Sequence, residues 1–218
     1  MIKLLIFDLD GTIADTLQSI REALNMTMDV CGAPHRSYDE VKDAIGSGVR
    51  ELIRRSLPRD MSSDDVLIDR LHVKYNGLYD ETYSNIDGCY PLMYDTIRTL
   101  RERGFVLAVL SNKPDKYTKS IINMLFLDGE FSFVAGQTEL PRKPDPTVAL
   151  MIAERLGVSP CECAFIGDND VDVNTAKNAG MTSVACAWGY RPISALTDAD
   201  HIIESADALL NIFKQERS

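Results

Sequence analysis

Five short apolar segments recur along the chain, and each is followed by a turn and a helix-like segment. They are KLLIFD at 3–8, VLAVLS at 106–111, FSFVAG at 131–136, CAFIGD at 163–168 and TSVACA at 182–187. Their apolar residues are continuous rather than alternating, which is typical of strands buried on both faces of a parallel sheet. The segments at 113–126 and 145–157 have helical character, and the second has a proline near its start and a glycine at its end. The pattern predicts an α/β fold with a Rossmann-like parallel sheet and helices on both faces.

The interval after the first segment does not follow this alternation of strand and helix. Residues 16–84 contain no convincing strand, although a strand-to-helix connection normally has about 2 to 6 residues. Apolar stripes at helical spacing occur there instead: Leu17, Ile20, Leu24 and Met28; Val49, Leu52, Ile53 and Leu57; Val66, Leu67, Leu71, Tyr75 and Leu78. The SSDD sequence at 62–65 offers an N-cap for the last helix. We therefore predict a core domain from residues 1–15 and 85–218, and an inserted α-helical cap domain, 16–84; the alternative is a helical decoration without a role at the site.

Composition and charge narrow the classes of function. The chain is 45% hydrophobic and 26% charged, which suits a folded protein with a substantial core. Acidic residues outnumber basic ones by 33 to 23, and the formal charge of -10 repels nucleic acid and anionic membranes. No apolar run approaches the roughly 18 residues of a membrane span, and the N-terminal run stops early, at Asp8. We expect a cytoplasmic protein with neither a nucleic-acid nor a membrane partner.

The cysteines and histidines form no recognisable site. Cys161 and Cys163 are the only closely spaced pair, and no second pair or nearby histidine completes a zinc-binding pattern. We expect ordinary thiols at both positions. His35, His72 and His201 lack a flanking serine or cysteine nucleophile pattern, which disfavours a Ser-His or Cys-His hydrolase.

Acidic residues are concentrated where the predicted strands end. Asp8 and Asp10 follow the first strand, and Asp168 and Asp172 follow the fourth. A single acid there is most often a helix cap or a turn residue, but ligands of doubly wound sheets bind at these strand ends. Several carboxylates at one edge repel each other and need a counter-cation. Oxygen ligands without nitrogen or sulfur select a hard divalent ion, so the set predicts a Mg²⁺ site.

A lysine and two polar residues add a preference for phosphate. Lys143 lies in LPRKPDP at 140–146, where the prolines hold the chain extended and direct the ammonium group. A positioned lysine beside a metal suits the charge that develops on a phosphoryl group. Ser111 and Asn112, after the second strand, can donate to the remaining oxygens. A lysine between prolines is by itself usually a solvated loop residue, but with these neighbours it predicts a small phosphorylated metabolite as the partner.

Four short motifs carry a family resemblance. DLDGT at 8–12, LSN at 110–112, Lys143 and GDNDVD at 167–172 resemble, in order and spacing, the signature motifs of the haloacid dehalogenase superfamily. The resemblance covers essentially the whole chain. Longer stretches are similar to the phosphoglycolate phosphatase branch, namely SNKP at 111–114, RKPDP at 142–146, GDNDVDVNTAKNAG at 167–180 and WGYR at 188–191.

The resemblance implies a role for each motif residue. Asp8 would be the nucleophile that forms an aspartyl-phosphate, and Asp10 would act as general acid and then general base. Asp172 would ligate the metal through water or orient Lys143, and Gly11 would allow the turn that brings Asp10 to the site. The implied catalytic residues are Asp8, Asp10, Ser111 and Lys143; the phosphate-binding residues are Asp8, Gly11, Thr12, Ser111, Asn112 and Lys143; and the metal ligands are Asp8, Asp10, Asp168 and Asp172.

Differences from other branches of the superfamily narrow the range of expected activities. Asp10 argues against the dehalogenases, which lack this acid, and against the ion pumps, which carry threonine there. The phosphoglucomutase branch is expected to show Gly-x-Ser-Arg in its cap, whereas this chain has IGSGVREL at 45–52 with the arginine shifted. Phosphonate hydrolases use a cap lysine, for which Lys42 and Lys74 are candidates, although both fit solvated helix positions.

Substrate choice is expected to lie in the cap. The turn at Gly46 and Gly48 can bring backbone amides near a small anionic leaving group, and Arg50 can pair either with a substrate carboxylate or with a surface acid. Tyr190 and Arg191 can border the entrance.

We therefore expect a Mg²⁺-dependent phosphatase that hydrolyses small phosphomonoesters through an aspartyl-phosphate. The alternatives are a pyrophosphatase or a β-phosphoglucomutase-type phosphotransferase of the same superfamily, or a phospho-aspartate signalling protein. A binding protein without activity is disfavoured because every motif position holds the competent residue type. The sequence leaves both a monomer and a homodimer open.

Overall fold

A computed structural model describes residues 1–214 of the chain. Within those residues a six-stranded parallel sheet has the order β3-β2-β1-β4-β5-β6. The strands are β1 (Leu4–Phe7), β2 (Val106–Pro114), β3 (Phe133–Gln137), β4 (Cys163–Gly167), β5 (Thr182–Cys186) and β6 (His201–Ile203). The winding direction reverses between the neighbouring strands β1 and β4, and doubly wound sheets bind ligands at such a switch point. The fold therefore places a candidate site at the carboxyl ends of these two strands.

Helices cover both faces of the sheet, as the continuous apolar strands predicted. In the described residues the α-helices are α1 (Leu17–Cys31), α2 (Tyr38–Ala44), α3 (Val49–Ser56), α4 (Asp65–Thr82), α5 (Met93–Glu102), α6 (Asp115–Leu125), α7 (Thr147–Arg155), α8 (Asp170–Ala179) and α9 (Leu209–Ile212). Leu5 and Phe7 of β1 belong to a core with side chains of α5, α6 and α9. Leu4 and Ile6 point to the opposite face and share a second core with α7 and α8. The sheet core is thus the predicted α/β arrangement.

Helices α1 to α4 form a separate apolar cluster, which we call the helical insert. Its centre contains fully buried side chains such as Leu24, Ile53 and Ile68. Asp64, from the predicted capping sequence, accepts a hydrogen bond from the amide of Leu67 at 2.9 Å and so begins α4. The four helices lie inside the range predicted for the cap. None of the helices in the described chain has the length and apolar character needed to cross a membrane.

The end of β2 and the presence of β6 differ most from the sequence expectation. Strand β2 continues to Pro114, three residues beyond the predicted end, so α6 begins at Asp115 rather than at residue 113. Strand β6 was not predicted, because it has three residues, two of them exposed, and lies at the sheet edge. Such a strand is too short to produce a detectable apolar pattern. The last four residues of the predicted core domain, 215–218, lie outside the described residues.

Candidate active site

The loop after β1 presents two carboxylates to one pocket. The amides of Ile13 and Ala14 donate to the carbonyl of Leu9, and the amide of Gly11 donates to the carbonyl of Ala14 at 3.0 Å. Gly11 has a φ of +86°, a backbone conformation that favours glycine. This tight loop lets both Asp8 and Asp10 line the pocket.

Three buried acids meet beside this loop. Asp8, Asp168 and Asp172 each offer a carboxylate oxygen, and these oxygens lie within 4.8 Å of one another. Oδ1 of Asp8 is buried and has no hydrogen bond to any described residue. The ammonium of Lys143 lies 2.9 Å from that oxygen but outside hydrogen-bond geometry. The acidic triad therefore contains a buried oxygen that is ion-paired with Lys143 but accepts no hydrogen bond from the described residues.

The raised pKa values of two of these acids show that ionising all three together is unfavourable. Burial, followed by the charges of Asp172 and Asp8, raises the pKa of Asp168 to about 8. Burial also raises the pKa of Asp172 to about 7, with Lys143 opposing and Asp8 adding to the increase. One ammonium cannot offset three carboxylates. An oxygen-only donor set with excess negative charge and an oxygen that accepts no hydrogen bond can bind a hard divalent cation, so these residues fit the predicted metal.

Asp168 is held tightly from two sides. Thr12 Oγ1 donates to its Oδ1 at 3.0 Å, and the amide of Tyr190 donates to its Oδ2 at 2.7 Å. A Cβ atom added at Gly11 would lie 2.5 Å from Oδ2 of Asp168, and one at Gly189 would lie 2.1 Å from its Cβ. The side chain of Thr12, which was predicted to bind phosphate, therefore positions Asp168 in this structure.

Lys143 is positioned by two side chains, Asp172 on α8 and Asn112 on β2. Its ammonium donates to Asp172 Oδ1 at 2.6 Å, and both groups are buried. The Lys143 amide donates to Asn112 Oδ1 at 2.9 Å, while Asn112 Nδ2 donates to the carbonyls of Lys143 and Gly46, both at 3.0 Å. The Asn112 side chain therefore fixes the lysine backbone and contacts the helical insert, a role that the sequence did not indicate.

Asp10 has a partner that the sequence analysis missed. Oδ1 of Asp10 accepts hydrogen bonds from Lys113 Nζ at 2.8 Å and from Thr16 Oγ1 at 2.5 Å. Burial lowers the pKa of Lys113, but the charge of Asp10 outweighs this effect and the pKa is raised. The ammonium also lies 4.8 Å from the ring centroid of Tyr79. Lys113 directly follows LSN at 110–112, and no role was predicted for it.

The pocket above these groups has a volume of about 50 Å³. Its lining comes from the strand ends and from the helical insert: Asp8, Asp10, Ile20, Ile45, Gly46, Gly48, Val49, Leu52, Tyr75, Tyr79, Ser111, Asn112, Lys113, Pro114, Asn169 and Tyr190. Most of the insert's contribution is apolar. The enclosed space beside the carboxylates is therefore small.

The predicted cap residues divide into two groups. Gly46 and Gly48 line the pocket, whereas Arg50 does not, because its guanidinium pairs with Asp65 and Asp69 on the surface of the insert. The structure thus favours the surface-acid alternative for Arg50.

Tyr190 and Arg191, which were predicted to border the entrance, have different surroundings. Tyr190 lines the pocket. Arg191 instead donates to backbone carbonyls of the insert, including that of Lys42. Neither Lys42 nor Lys74 is among the described residues that line the pocket. Cys161 is exposed and Cys163 is buried, and no disulfide joins them.

Comparison with known proteins shows the family of the chain. The model of a family described as haloacid dehalogenase-like hydrolase matches residues 5–186. A phosphoglycolate phosphatase of Vibrio parahaemolyticus is 32% identical over 97% of this chain and 96% of its own length. One of Aquifex aeolicus is 35% identical over 86% of both chains. The crystal structure of a predicted phosphoglycolate phosphatase from Haemophilus somnus superposes with a TM-score of 0.88 at 28% identity, covering 98% of both chains. The chain therefore belongs to the haloacid dehalogenase-like hydrolase family.

Proposed function

We propose that the protein is a Mg²⁺-dependent phosphatase that hydrolyses small phosphomonoesters through an aspartyl-phosphate on Asp8. The observation that carries the proposal is the buried acidic triad, in which Oδ1 of Asp8 accepts no hydrogen bond and lies 2.9 Å from the Lys143 ammonium. The names of the relatives, phosphoglycolate phosphatases of two bacteria, support a compact phosphomonoester as substrate. The small pocket volume supports the same substrate size.

Different residues of the chain carry out the steps of the proposed reaction. The Asp8 carboxylate attacks phosphorus while the bond from phosphorus to the ester oxygen breaks, and Asp10 gives its proton to that oxygen. Water then attacks the phosphorus of the aspartyl-phosphate, Asp10 takes a proton from this water, and inorganic phosphate leaves. Oδ2 of Asp10 has no hydrogen bond to a described residue and is free to carry the proton. Lys143 and Ser111 would hold the phosphoryl oxygens.

Asp8 and Asp168 would hold the metal ion, with the backbone carbonyl of Asp10. Asp172 would keep Lys143 in place, to which it is already hydrogen-bonded. When bound there, Mg²⁺ supplies positive charge that offsets the charge of the triad and of the phosphoryl group. We further propose that residues 16–84 act as a cap that excludes water from the pocket, because the insert supplies its apolar wall.

Hydrolysis of 4-nitrophenyl phosphate tests the metal dependence. We expect release of 4-nitrophenolate with Mg²⁺ and a loss of at least about 100-fold when a chelator removes the ion, because the triad then repels the anionic substrate. Adding excess Mg²⁺ back is the control and should restore the rate. Equal rates with Mg²⁺ and with chelator would contradict the proposed mechanism.

The raised pKa values of Asp168 and Asp172 predict that metal-free protein is less stable at pH 8 than at pH 6. In the unfolded chain both acids ionise at their ordinary pKa near 4, whereas the folded pKa values are about 8 and about 7. The unfolded state therefore loses its protons first, and folding becomes less favourable as pH rises through this window. Mg²⁺ binds the ionised triad, so its stabilising effect should grow with pH.

Thermal unfolding with chelator and with Mg²⁺, at pH 6 and pH 8, measures this effect. We expect the Mg²⁺-induced increase in Tm to be several degrees larger at pH 8. Asp168→Asn is the matched variant and should reduce both the pH dependence and the Mg²⁺ effect. An increase in Tm that is the same at both pH values would show that the triad does not govern metal binding.

A further inference from the structure

We propose that Lys113 is the residue that binds a leaving group carrying a carboxylate, and that it sets the preference for such an ester over an uncharged one. This inference rests on the proposed phosphatase function and concerns the same pocket. It assigns a specificity role to a residue outside the four signature motifs.

The first argument is the donor capacity of Lys113. Its side chain is 3% exposed, yet it lines the pocket and is the only cationic residue among the described residues that do so. A lysine ammonium has three N–H donors. The structure gives it one hydrogen-bond acceptor in the described chain, Oδ1 of Asp10, and a contact with the Tyr79 ring. Donor capacity therefore remains for an anion in the pocket.

The second argument comes from the insert side of the same pocket. Helix α3 begins after Gly48, which provides no side-chain cap for the first-turn amides. Gly48 and Val49 both line the pocket. Unsatisfied amides at a helix start favour negative charge. The strand side and the insert side thus both offer donors to an anionic leaving group.

Two arginines near the pocket already have partners, and a third, Arg142, lies near Gly48 but is not among the residues that line the pocket. The Arg50 guanidinium pairs with two surface acids, and Arg191 donates to backbone carbonyls of the insert. A carboxylate that enters this pocket therefore has Lys113 as its cationic partner. Without such a partner the desolvation of a carboxylate would oppose binding strongly.

The position of Lys113 also limits the length of the leaving group. Lys113 is hydrogen-bonded at 2.8 Å to Asp10, the residue proposed to protonate the ester oxygen. A carboxylate that binds the same ammonium must lie within roughly 10 Å of that oxygen, given ordinary hydrogen-bond lengths. The apolar side chains of Ile45 and Leu52 provide no polar partners for a longer hydrophilic group.

The test compares two esters of similar size, 2-phosphoglycolate and the uncharged 2-hydroxyethyl phosphate, by their kcat/KM with Mg²⁺. We expect the wild-type protein to prefer the carboxylate ester. Lys113→Met should slow both reactions, because Asp10 also loses its partner, but it should lower the preference for the carboxylate ester by about 10- to 100-fold, the range expected for a charge-assisted hydrogen bond. Lys113→Arg should restore part of the preference, mainly through KM.

Lys116→Met is the matched control, because Lys116 is exposed and pairs with Asp80 on the surface. Its preference should equal that of the wild type. Lys113→Gln replaces Lys113→Met if the latter does not fold. An equal loss on both esters, or a wild-type protein that hydrolyses the neutral ester as well as the carboxylate ester, overturns the proposal for Lys113 while the phosphatase function stands. Failure of the wild type on both esters and on 4-nitrophenyl phosphate overturns both proposals.

Discussion

Asp8→Asn is expected to lower turnover by at least about four orders of magnitude, because the amide has no anionic oxygen to attack phosphorus. The replacement is nearly isosteric and removes one of three mutually repelling charges. The metal-free variant should therefore fold and melt at a higher temperature than the wild type. Loss of activity together with increased stability distinguishes a nucleophile from a residue that only supports the fold.

Steady-state release of phosphate from 4-nitrophenyl phosphate measures the effect, and a thermal melt measures stability. Asp95→Asn provides a matched control, since Asp95 is exposed on α5, away from the pocket. Intact-protein mass should be checked because deamidation of the new asparagine would restore the aspartate. A variant with near wild-type turnover and an asparagine at position 8 would disprove the assignment of the nucleophile.

Asp10→Asn should produce the second largest effect, a decrease of about 10²- to 10⁴-fold on esters with poor leaving groups. The variant retains an oxygen that can accept hydrogen bonds from Lys113 and Thr16, as Asp10 does. It cannot donate a proton to the ester oxygen or take one from water. An ester with a good leaving group, such as 4-nitrophenyl phosphate, needs no proton in the first step, so the aspartyl-phosphate should still form and then persist.

A rapid burst of 4-nitrophenolate followed by slow turnover is the expected signature. Mass spectrometry after acid quench should find one phosphoryl group on the protein. Asp10→Ala serves as a comparison, because it also removes the hydrogen bonds to Lys113 and Thr16 and should slow both ester types. Equal slowing of alkyl and aryl esters by Asp10→Asn, without a burst, would exclude Asp10 as the acid and base.

Much of the fold follows from local patterns. Each of β1 to β5 overlaps a predicted segment, because a strand buried on both faces needs a continuous apolar run. Strand β6 was not predicted, because its edge position leaves His201 and Ile202 exposed. The SSDD sequence indicated the start of α4 because capping is an interaction between near neighbours.

The individual side-chain partners at the site were harder to predict. Lys113 pairs with Asp10 across 103 positions of sequence, and Thr12 bonds to Asp168 across 156. Such pairs depend on the parallel order of the strands, which brings distant residues to one edge. Motif spacing indicated which acids gather there, but it gave no information on which neutral or basic side chain satisfies each oxygen. Arg50 illustrates the same limit, since its acidic partners lie on another helix of the insert.

The Asn112 side chain forms hydrogen bonds both to the loop that carries Lys143 and to the helical insert. Two of them hold the backbone of Lys143 from both its amide and its carbonyl, and a third reaches the carbonyl of Gly46 in the insert. If the turn at Gly46 lifts away to admit or discharge a small molecule, that third bond breaks while the other two persist. Lys143, the proposed phosphate-binding residue, thus stays aligned through each opening, and its hydrogen bonds to Asn112 do not have to form again before the next turnover.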